Sequence, residues 1–148
     1  MIRLAHSKDL ISLALLEKES FRNEEAFSLR RIRYLTNTAD SLVLVHEGSD
    51  VDGYLVLLFR RDTDSSRIYS LCVDPRRRRE GIGGQLVRSA EAASAERGCR
   101  RVRLEVRAGA EETVKFYGNL GFRVLRRLPN YYGDGADGLR MEKPVSPQ

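Results

Sequence analysis

Apolar positions recur at two spacings along the chain, every three to four residues in some stretches and every second residue in others, and the switches between them lay out its elements. Met1–Leu4 reads as a short strand. Ser7 is placed to cap a helix running to about Phe21, with Leu10, Ile11, Ala14 and Leu15 as its apolar stripe. A second helix is expected from Ser28, with Leu29, Ile32 and Leu35 on one side and Arg30, Arg31 and Arg33 on the other. Two β-rich runs follow, Leu42–His46 and Gly53–Phe59, joined by the polar hairpin segment Gly48–Asp52. After a polar turn over Arg61–Ser66, Ile68–Val73 is a third antiparallel strand. Pro75 ends it, because proline has no N–H to give the ladder.

The helix that opens at Gly81 turns Ile82, Leu86, Ala90 and Ala93 inward and closes at Gly98, the residue type that best tolerates the turn after a helix. Arg101–Val106 is the next long strand. Glu111–Leu120 is a short helix ending at Gly121, and strands near Phe122–Leu128 and Leu139–Lys143 complete the pattern. This order predicts a mixed α/β (α+β) sandwich in one domain, residues 1–143, followed by a flexible tail, 144–148. A chain of 148 residues buries roughly two-thirds of its unfolded surface, enough for a two-layer core without disulfide or metal support.

Charge narrows the picture only locally. The net charge is +5, but 26 basic residues are interleaved with 21 acidic ones, so most belong on solvated faces. Arg76–Arg79 and the group Arg100, Arg101, Arg103 and Arg107 are the locally excessive clusters. Cys72 and Cys99 are the only cysteines and form no C-x-x-C pair, which predicts reduced cytosolic thiols and no zinc site. His6 and His46 lack metal-ligand spacing. No apolar run approaches the ~20 residues a membrane span needs, and the start of the chain turns polar at once. A soluble cytoplasmic protein with no membrane partner is expected.

The densest signal is Val73-Asp74-Pro75-Arg76-Arg77-Arg78-Arg79-Glu80-Gly81-Ile82-Gly83-Gly84, an apolar strand that runs through a basic turn into a helix. A helix N-terminus presents unpaired N–H groups and about half a positive charge, so it holds a phosphate without side chains. Glycine lets the backbone come close, and the arginines attract a polyanion over a longer range. A dinucleotide fingerprint would need glycine at Leu86, and a phosphate loop of the Gly-Lys-Ser/Thr type occurs nowhere.

Arg78-Arg79-Glu80-Gly81-Ile82-Gly83 resembles the Q/R-x-x-G-x-G/A pyrophosphate loop of the GNAT superfamily of N-acetyltransferases. Leu104-Glu105-Val106-Arg107 and Phe116-Tyr117-Gly118-Asn119-Leu120-Gly121-Phe122 are similar to the L-E-V-R and F/L-Y-x-x-x-G-F segments of its ribosomal-protein alanine N-acetyltransferase branch. Asn130-Tyr131-Tyr132, followed by Asp137 to Met141, resembles the ending of that branch.

The resemblance implies the GNAT fold: a mostly antiparallel sheet of about seven strands with helices on both faces, its fourth and fifth strands splayed. Those strands would be Ile68–Val73 and Arg101–Val106. It implies acetyl-CoA as cosubstrate and no metal, with binding at Leu71, Cys72, Val73, Arg78, Arg79, Glu80, Gly81, Ile82, Gly83, Gly84 and Ala110. It further implies Glu105 as general base, Tyr117, twelve residues on, as general acid, and Tyr131 and Tyr132 at the acceptor's entry. The chain departs from the branch at two positions. Ala110 stands where asparagine usually contacts the pantetheine region, and Arg79 replaces the usual loop glycine. The missing amide is worth ~0.5–1.5 kcal/mol.

The chemistry is consistent with an amine acceptor. An amine attacks a thioester only when neutral; an α-amine ionises near pH 8, and a lysine roughly two to three units higher. A carboxylate acting through water suits the former, so Glu105 in that role fits a protein or peptide N-terminus. A backbone N–H near Val73 is the expected oxyanion donor. A thiol leaving group of pKa about 8.5 requires modest tuning of a phenol near 10, the role of Tyr117.

Other readings stand beside this one. Glu105 is also suited to an ion pair with Arg103 or Arg107, Tyr117 to core packing, Cys72 to a small buried apolar role, and Tyr131 and Tyr132 to anchoring a loop. The charged face of the second helix is either solvated or borders the acceptor. A small-molecule amine or a protein lysine is the alternative acceptor. A non-catalytic acyl-CoA-sensing or nucleic-acid-binding module is the alternative class, although aromatics interleaved with the arginine run are lacking and no nucleic-acid partner is expected. A monomer or homodimer is compatible with the sequence.

Overall fold

Residues 52 to 57 are buried without alternation, because the strand that carries them is covered on both faces. In the computed structural model, which describes residues 1–21 and 27–146, that strand belongs to a seven-stranded sheet with the order β1-β2-β3-β4-β5-β7-β6. The strands are β1 (Ile2–Leu4), β2 (Ser41–Glu47), β3 (Val51–Phe59), β4 (Ser65–Val73), β5 (Arg101–Arg107), β6 (Arg123–Leu128) and β7 (Gly138–Pro144). The helices are α1 (Leu10–Ser20), α2 (Leu29–Thr36), α3 (Ile82–Glu96) and α4 (Glu111–Asn119). This is the mixed sandwich expected from the sequence, with every sheet pairing antiparallel except β4 with β5.

Each face of the sheet closes its own core. Leu55, Leu57, Ile68, Leu104 and Val106 pack with Leu86, Val87 and Ala90 of α3 and with Tyr117 of α4. Val43, Val45, Tyr54 and Val56 pack on the other face with Leu10, Leu13, Leu16, Ile32 and Leu35 of α1 and α2. Gly53 lets α3 approach the sheet closely, since a Cβ there would lie 3.0 Å from Ile82 Cγ2 and 3.2 Å from Leu86 Cδ1.

The feature that makes a site is a fork. β4 pairs with β5 only where Ser65, Ser66 and Arg67 face Arg101, Val102 and Arg103. Beyond Arg67 the strands part, β4 staying on β3 and β5 on β7. Just past the fork the β3–β4 register steps from Leu57 opposite Ile68 to Val56 opposite Ser70, so Tyr69 is an extra residue. Such a bulge resets which side chains face which layer. Leu71 and Val73 therefore pack with the α3 core, while Tyr69 and Cys72 join the α1–α2 core.

Several local expectations shift. The stripe on α1 is out of phase: Leu10, Leu13 and Leu16 are buried, whereas Ile11 is 69% and Leu15 55% exposed. Leucines, isoleucine and alanine surround this helix, so periodicity alone did not define its inner face. Ser7 lies within a 3-10 turn (Ser7–Asp9), and the capping bond is instead donated by His6 N to Asp9 Oδ2, 2.7 Å. Ser28 does cap α2, accepting from Arg31 N at 3.1 Å. The turn expected over Arg61–Ser66 is shorter, because Ser65 and Ser66 begin β4. Pro144 ends β7, and Val145 N donates to Arg100 O at 2.8 Å, so the chain is tied down beyond the expected start of the tail. Residues 147 and 148 lie outside the described residues.

Candidate active site

A cleft of about 1680 Å³ passes through the fork, from the start of α3 to Tyr131 and Tyr132. Two substrates in line would fill that volume better than one, since drug-sized ligand sites span ~300–1,000 Å³.

The first end has the geometry expected of an anion cradle. Gly81 caps α3 at φ +83°, and the first helical bond is donated by Gln85 N to Gly81 O, so the N–H groups ahead of it have no helical partner and no capping side chain. Space is open above Gly81, where a Cβ would meet nothing within 4 Å. Gly83 has a second reason to be glycine: a Cβ there would lie 3.1 Å from Phe116 Cζ, so it also lets α4 approach α3.

The basic run is less free than its sequence implies. Asp74 accepts from Arg76 N and from both Arg76 Nε and Nη2, at 2.9–3.0 Å, and this holds its carboxyl below the usual range. Arg77 approaches Asp52 and Glu80 at 3.8 and 3.4 Å. Arg77, Arg78 and Arg79 all line the cleft, Arg77 shared with those two acids, and Arg78 and Arg79 have no carboxylate partner among the described residues. Glu80, expected among the binding residues, does not line it and serves Arg77 instead. Arg79 adopts φ +68°, the left-handed conformation for which glycine is suited.

At the fork, Leu71, Cys72, Val73 and Ala110 line the passage with Glu105 and Tyr117. The backbone of β4 beyond Arg67 has no β5 partner, so its N–H groups on that edge face the cleft. Ala110 occupies the N-cap of α4 without a capping side chain.

Glu105 has partners other than those expected. Arg67 Nε donates to its Oε1 at 2.5 Å and Arg140 Nε to its Oε2 at 3.0 Å, joining β4, β5 and β7 through one buried carboxylate. Arg103 pairs with Glu142 and Arg107 with Asp134. A carboxylate has about four lone-pair sites, so Glu105 retains acceptor capacity for a water or an amine. Tyr117 packs edge-on against Phe116 and Phe122, with centroids 5.0 and 5.5 Å apart. Burial pushes its phenol well above the usual value, so it holds its proton more firmly than expected from the sequence.

The far end combines rings and guanidiniums. The Cζ atoms of Arg31 and Arg67 are 5.7 and 5.1 Å from the Tyr69 centroid, and Phe27 packs on the same ring at 4.9 Å. Arg67 Nη2 also donates to Tyr131 Oη at 3.2 Å, Tyr131 and Tyr132 meet edge-on at 5.1 Å, and Arg107 lies 4.4 Å over Tyr132.

Sequence reasoning missed Glu17. This buried carboxylate of α1 lines the cleft and accepts from Tyr54 Oη, from Ser70 Oγ at 2.7 Å and, through Oε2, from Phe27 N at 3.2 Å. It therefore ties α1 to the bulged strand and to the segment entering α2. Its one signal was its place directly after the apolar run Leu13-Ala14-Leu15-Leu16, in phase with the buried Leu10, Leu13 and Leu16. Cys72 is buried beside it, and burial pushes its thiol up, which suits the small apolar role rather than a nucleophile. Among the described residues no group of three or more His, Cys, Asp or Glu is arranged to hold a metal. No described helix is long and apolar enough to cross a membrane.

Residues 8–122 match the model of the acetyltransferase (GNAT) family. The chain is 35% identical over 126 residues to N-alpha-acetyltransferase 30 of Xenopus laevis, covering 80% of this chain but 45% of that one. It is 31% identical over 144 residues to an uncharacterised N-acetyltransferase of Methanocaldococcus jannaschii, covering 97% and 90% of the two chains. The structure of the ribosomal-protein-S18-alanine N-acetyltransferase of Escherichia coli superposes with a TM-score of 0.84 at 23% identity, covering 100% of this chain and 95% of that one, a likeness of fold. The chain thus spans less than half the length of the amphibian relative, and 34% of the human and mouse N-alpha-acetyltransferases 30.

Proposed function

The chain belongs to the acetyltransferase (GNAT) family, and on that premise we propose that it transfers an acetyl group from acetyl-CoA directly to the α-amine at a protein or peptide N-terminus. The observation that carries this reading is the continuous cleft through the β4–β5 fork, with an anion cradle at one end and an aromatic, arginine-lined entry at the other. The Methanocaldococcus relative, matched almost end to end, supports N-acetyl transfer, and the Xenopus relative supports an α-amine acceptor.

In this reading the free N–H groups at the start of α3, with Arg78 and Arg79, hold the pyrophosphate. The pantetheine arm lies along the open edge of β4, beside Leu71, Cys72, Val73 and Ala110. A β4 N–H near Val73 receives the charge that develops on the thioester oxygen as the amine attacks. Glu105 accepts the amine's proton through a water on its remaining lone pairs, while Arg67 and Arg140 hold the carboxylate in place. Tyr117, kept protonated by burial, donates a hydrogen bond to the departing thiolate. Because its phenol is a weaker acid than the thiol, this bond stabilises the departing thiolate without giving up the proton, and CoA leaves as the thiolate or takes its proton from water.

The test is CoA release from acetyl-CoA by wild type and Tyr117→Phe, using peptides with free N-terminal Ala, Ser or Met, N-terminally blocked lysine peptides and a polyamine. Turnover of the free N-termini alone, reduced by the tyrosine change, supports the proposal. Turnover of lysine or polyamine in preference overturns the acceptor. Tight acetyl-CoA binding without turnover of any amine overturns catalysis.

A further inference from the structure

The acceptor end of the cleft has a charge character that the transfer reaction does not require. Two guanidiniums, Arg67 of β4 and Arg107 of β5, line it; Arg140 of β7 reaches it through Glu105, and Arg31 of α2 stands beside its Tyr69. Apart from Glu112, exposed on the first turn of α4, the acids among the described residues that line the cleft or flank this end are already engaged. Glu105 is held by Arg67 and Arg140, Asp134 by Arg107, and Glu17 is enclosed by Tyr54 Oη, Ser70 Oγ and Phe27 N.

Arg31 is the informative member. Its Nη2 donates to Tyr69 Oη at 3.2 Å, its Cζ lies 6.0 Å from the Tyr34 centroid and 5.7 Å from that of Tyr69, and no carboxylate partner is found among the described residues. Its side chain is solvent-exposed at the rim. A guanidinium steadied by rings keeps N–H edges in a rigid fork, the geometry that grips a carboxylate in bidentate fashion. Arg67, with its Cζ 5.1 Å from the Tyr69 centroid, has Nε on Glu105 and Nη2 on Tyr131, leaving Nη1.

From this arrangement we infer that the acceptor is an acidic N-terminal segment, with Asp or Glu within about three residues of the reacting amine, and that Arg31 and Arg67 bind its carboxylates. The inference rests on the α-amine reading above. An extended chain advances about 3.3 Å per residue, so side chains close to the amine are those that reach the Tyr69 rim. The same field disfavours the protonated amine and raises its reactive neutral fraction, while a basic peptide is repelled.

The test compares three peptides that share a free N-terminal Ala and differ only in carrying Asp, Gln or Lys at the second and third positions. KM from CoA release is measured with calorimetric binding of each peptide to the CoA-loaded protein. The expected result at low ionic strength is a KM for the Asp peptide about ten-fold or more below that of the Lys peptide, with the gap closing as the Debye length falls from about 30 Å at 0.01 M salt to about 3 Å at 1 M. Arg31→Gln should narrow the Asp-to-Lys ratio several-fold, whereas Arg126→Gln, on exposed β6, should not. Equal KM values, or preference for lysine, overturn the inference and leave N-terminal acetylation standing. If no peptide turns over, the N-terminal reading fails. Binding then decides separately: preference for the Asp peptide upholds the acidic site, and equal binding overturns it.

Discussion

Arg67 Nε lies 2.5 Å from Glu105 Oε1 at the last paired position of β4, so one ion pair closes the point at which the central strands separate. The carboxylate proposed as general base is thus also a structural tie between the two walls of the cleft. Its chemical and positioning roles are separable by pH.

Glu105→Gln is expected to lower kcat by about 100-fold, within the range for loss of a general base. The deficit should shrink as pH rises from 7 to 9, because an α-amine of pKa about 8 then becomes neutral without help. A pH–rate profile of CoA release checks this. A deficit constant across pH would assign the residue to holding Arg67 and Arg140.

Tyr117→Phe should reduce kcat about ten-fold or more and leave acetyl-CoA affinity unchanged, because the ring contacts with Phe116 and Phe122 persist. The same tyrosine shapes alkaline stability. Burial raises its pKa, as it does for Tyr54, so above about pH 10 the unfolded phenol loses a proton that the native one retains. The unfolded state then binds fewer protons, and stability must fall as pH rises through that window. Thermal unfolding from pH 9 to 11.5 should show the decline, shallower in Tyr117→Phe.

Ala110→Asn should raise stability by about 1 kcal/mol, the usual gain for a capping side chain. Ala110 stands uncapped at the start of α4 and lines the cleft. The amide should also tighten acetyl-CoA, giving a lower Kd by calorimetry together with a higher Tm.

Arg79→Gly should separate conformation from charge. A side chain in the left-handed region costs about 1–2 kcal/mol, partly offset by the larger entropy of an unfolded glycine. The variant should gain up to about 1 kcal/mol, roughly 3 °C in Tm. CoA should bind it several-fold more weakly and with less dependence on salt, because one of the arginines that line the cradle without a carboxylate partner among the described residues is gone.

What was legible in the sequence was local. The strand, basic turn and helix start around Gly81 are contiguous, so their joint meaning is visible within a dozen residues. α2 begins at Ser28 as expected, where the serine proves to be its cap, an interaction that acts across three residues. The inner face of α1 was not legible, since Leu10, Ile11, Leu13, Leu15 and Leu16 satisfy more than one stripe and packing against β3 selected among them. Four consecutive arginines read as one attractive patch, yet Asp74 and the Asp52–Glu80 pair remove Arg76 and Arg77 from it.

By itself, then, the sequence determined the element order, the anion cradle and the residue types available for proton transfer, because propensity, capping and turn chemistry act over a few neighbouring residues. Only the tertiary structure decided how those residues are used. The single-residue bulge at Tyr69, the short β4–β5 pairing, and the meeting of Glu105 with Arg67 and Arg140, 38 and 35 positions away, all follow from sheet register. Register is set by the summed packing of two cores against one sheet, a long-range balance that no local stretch contains.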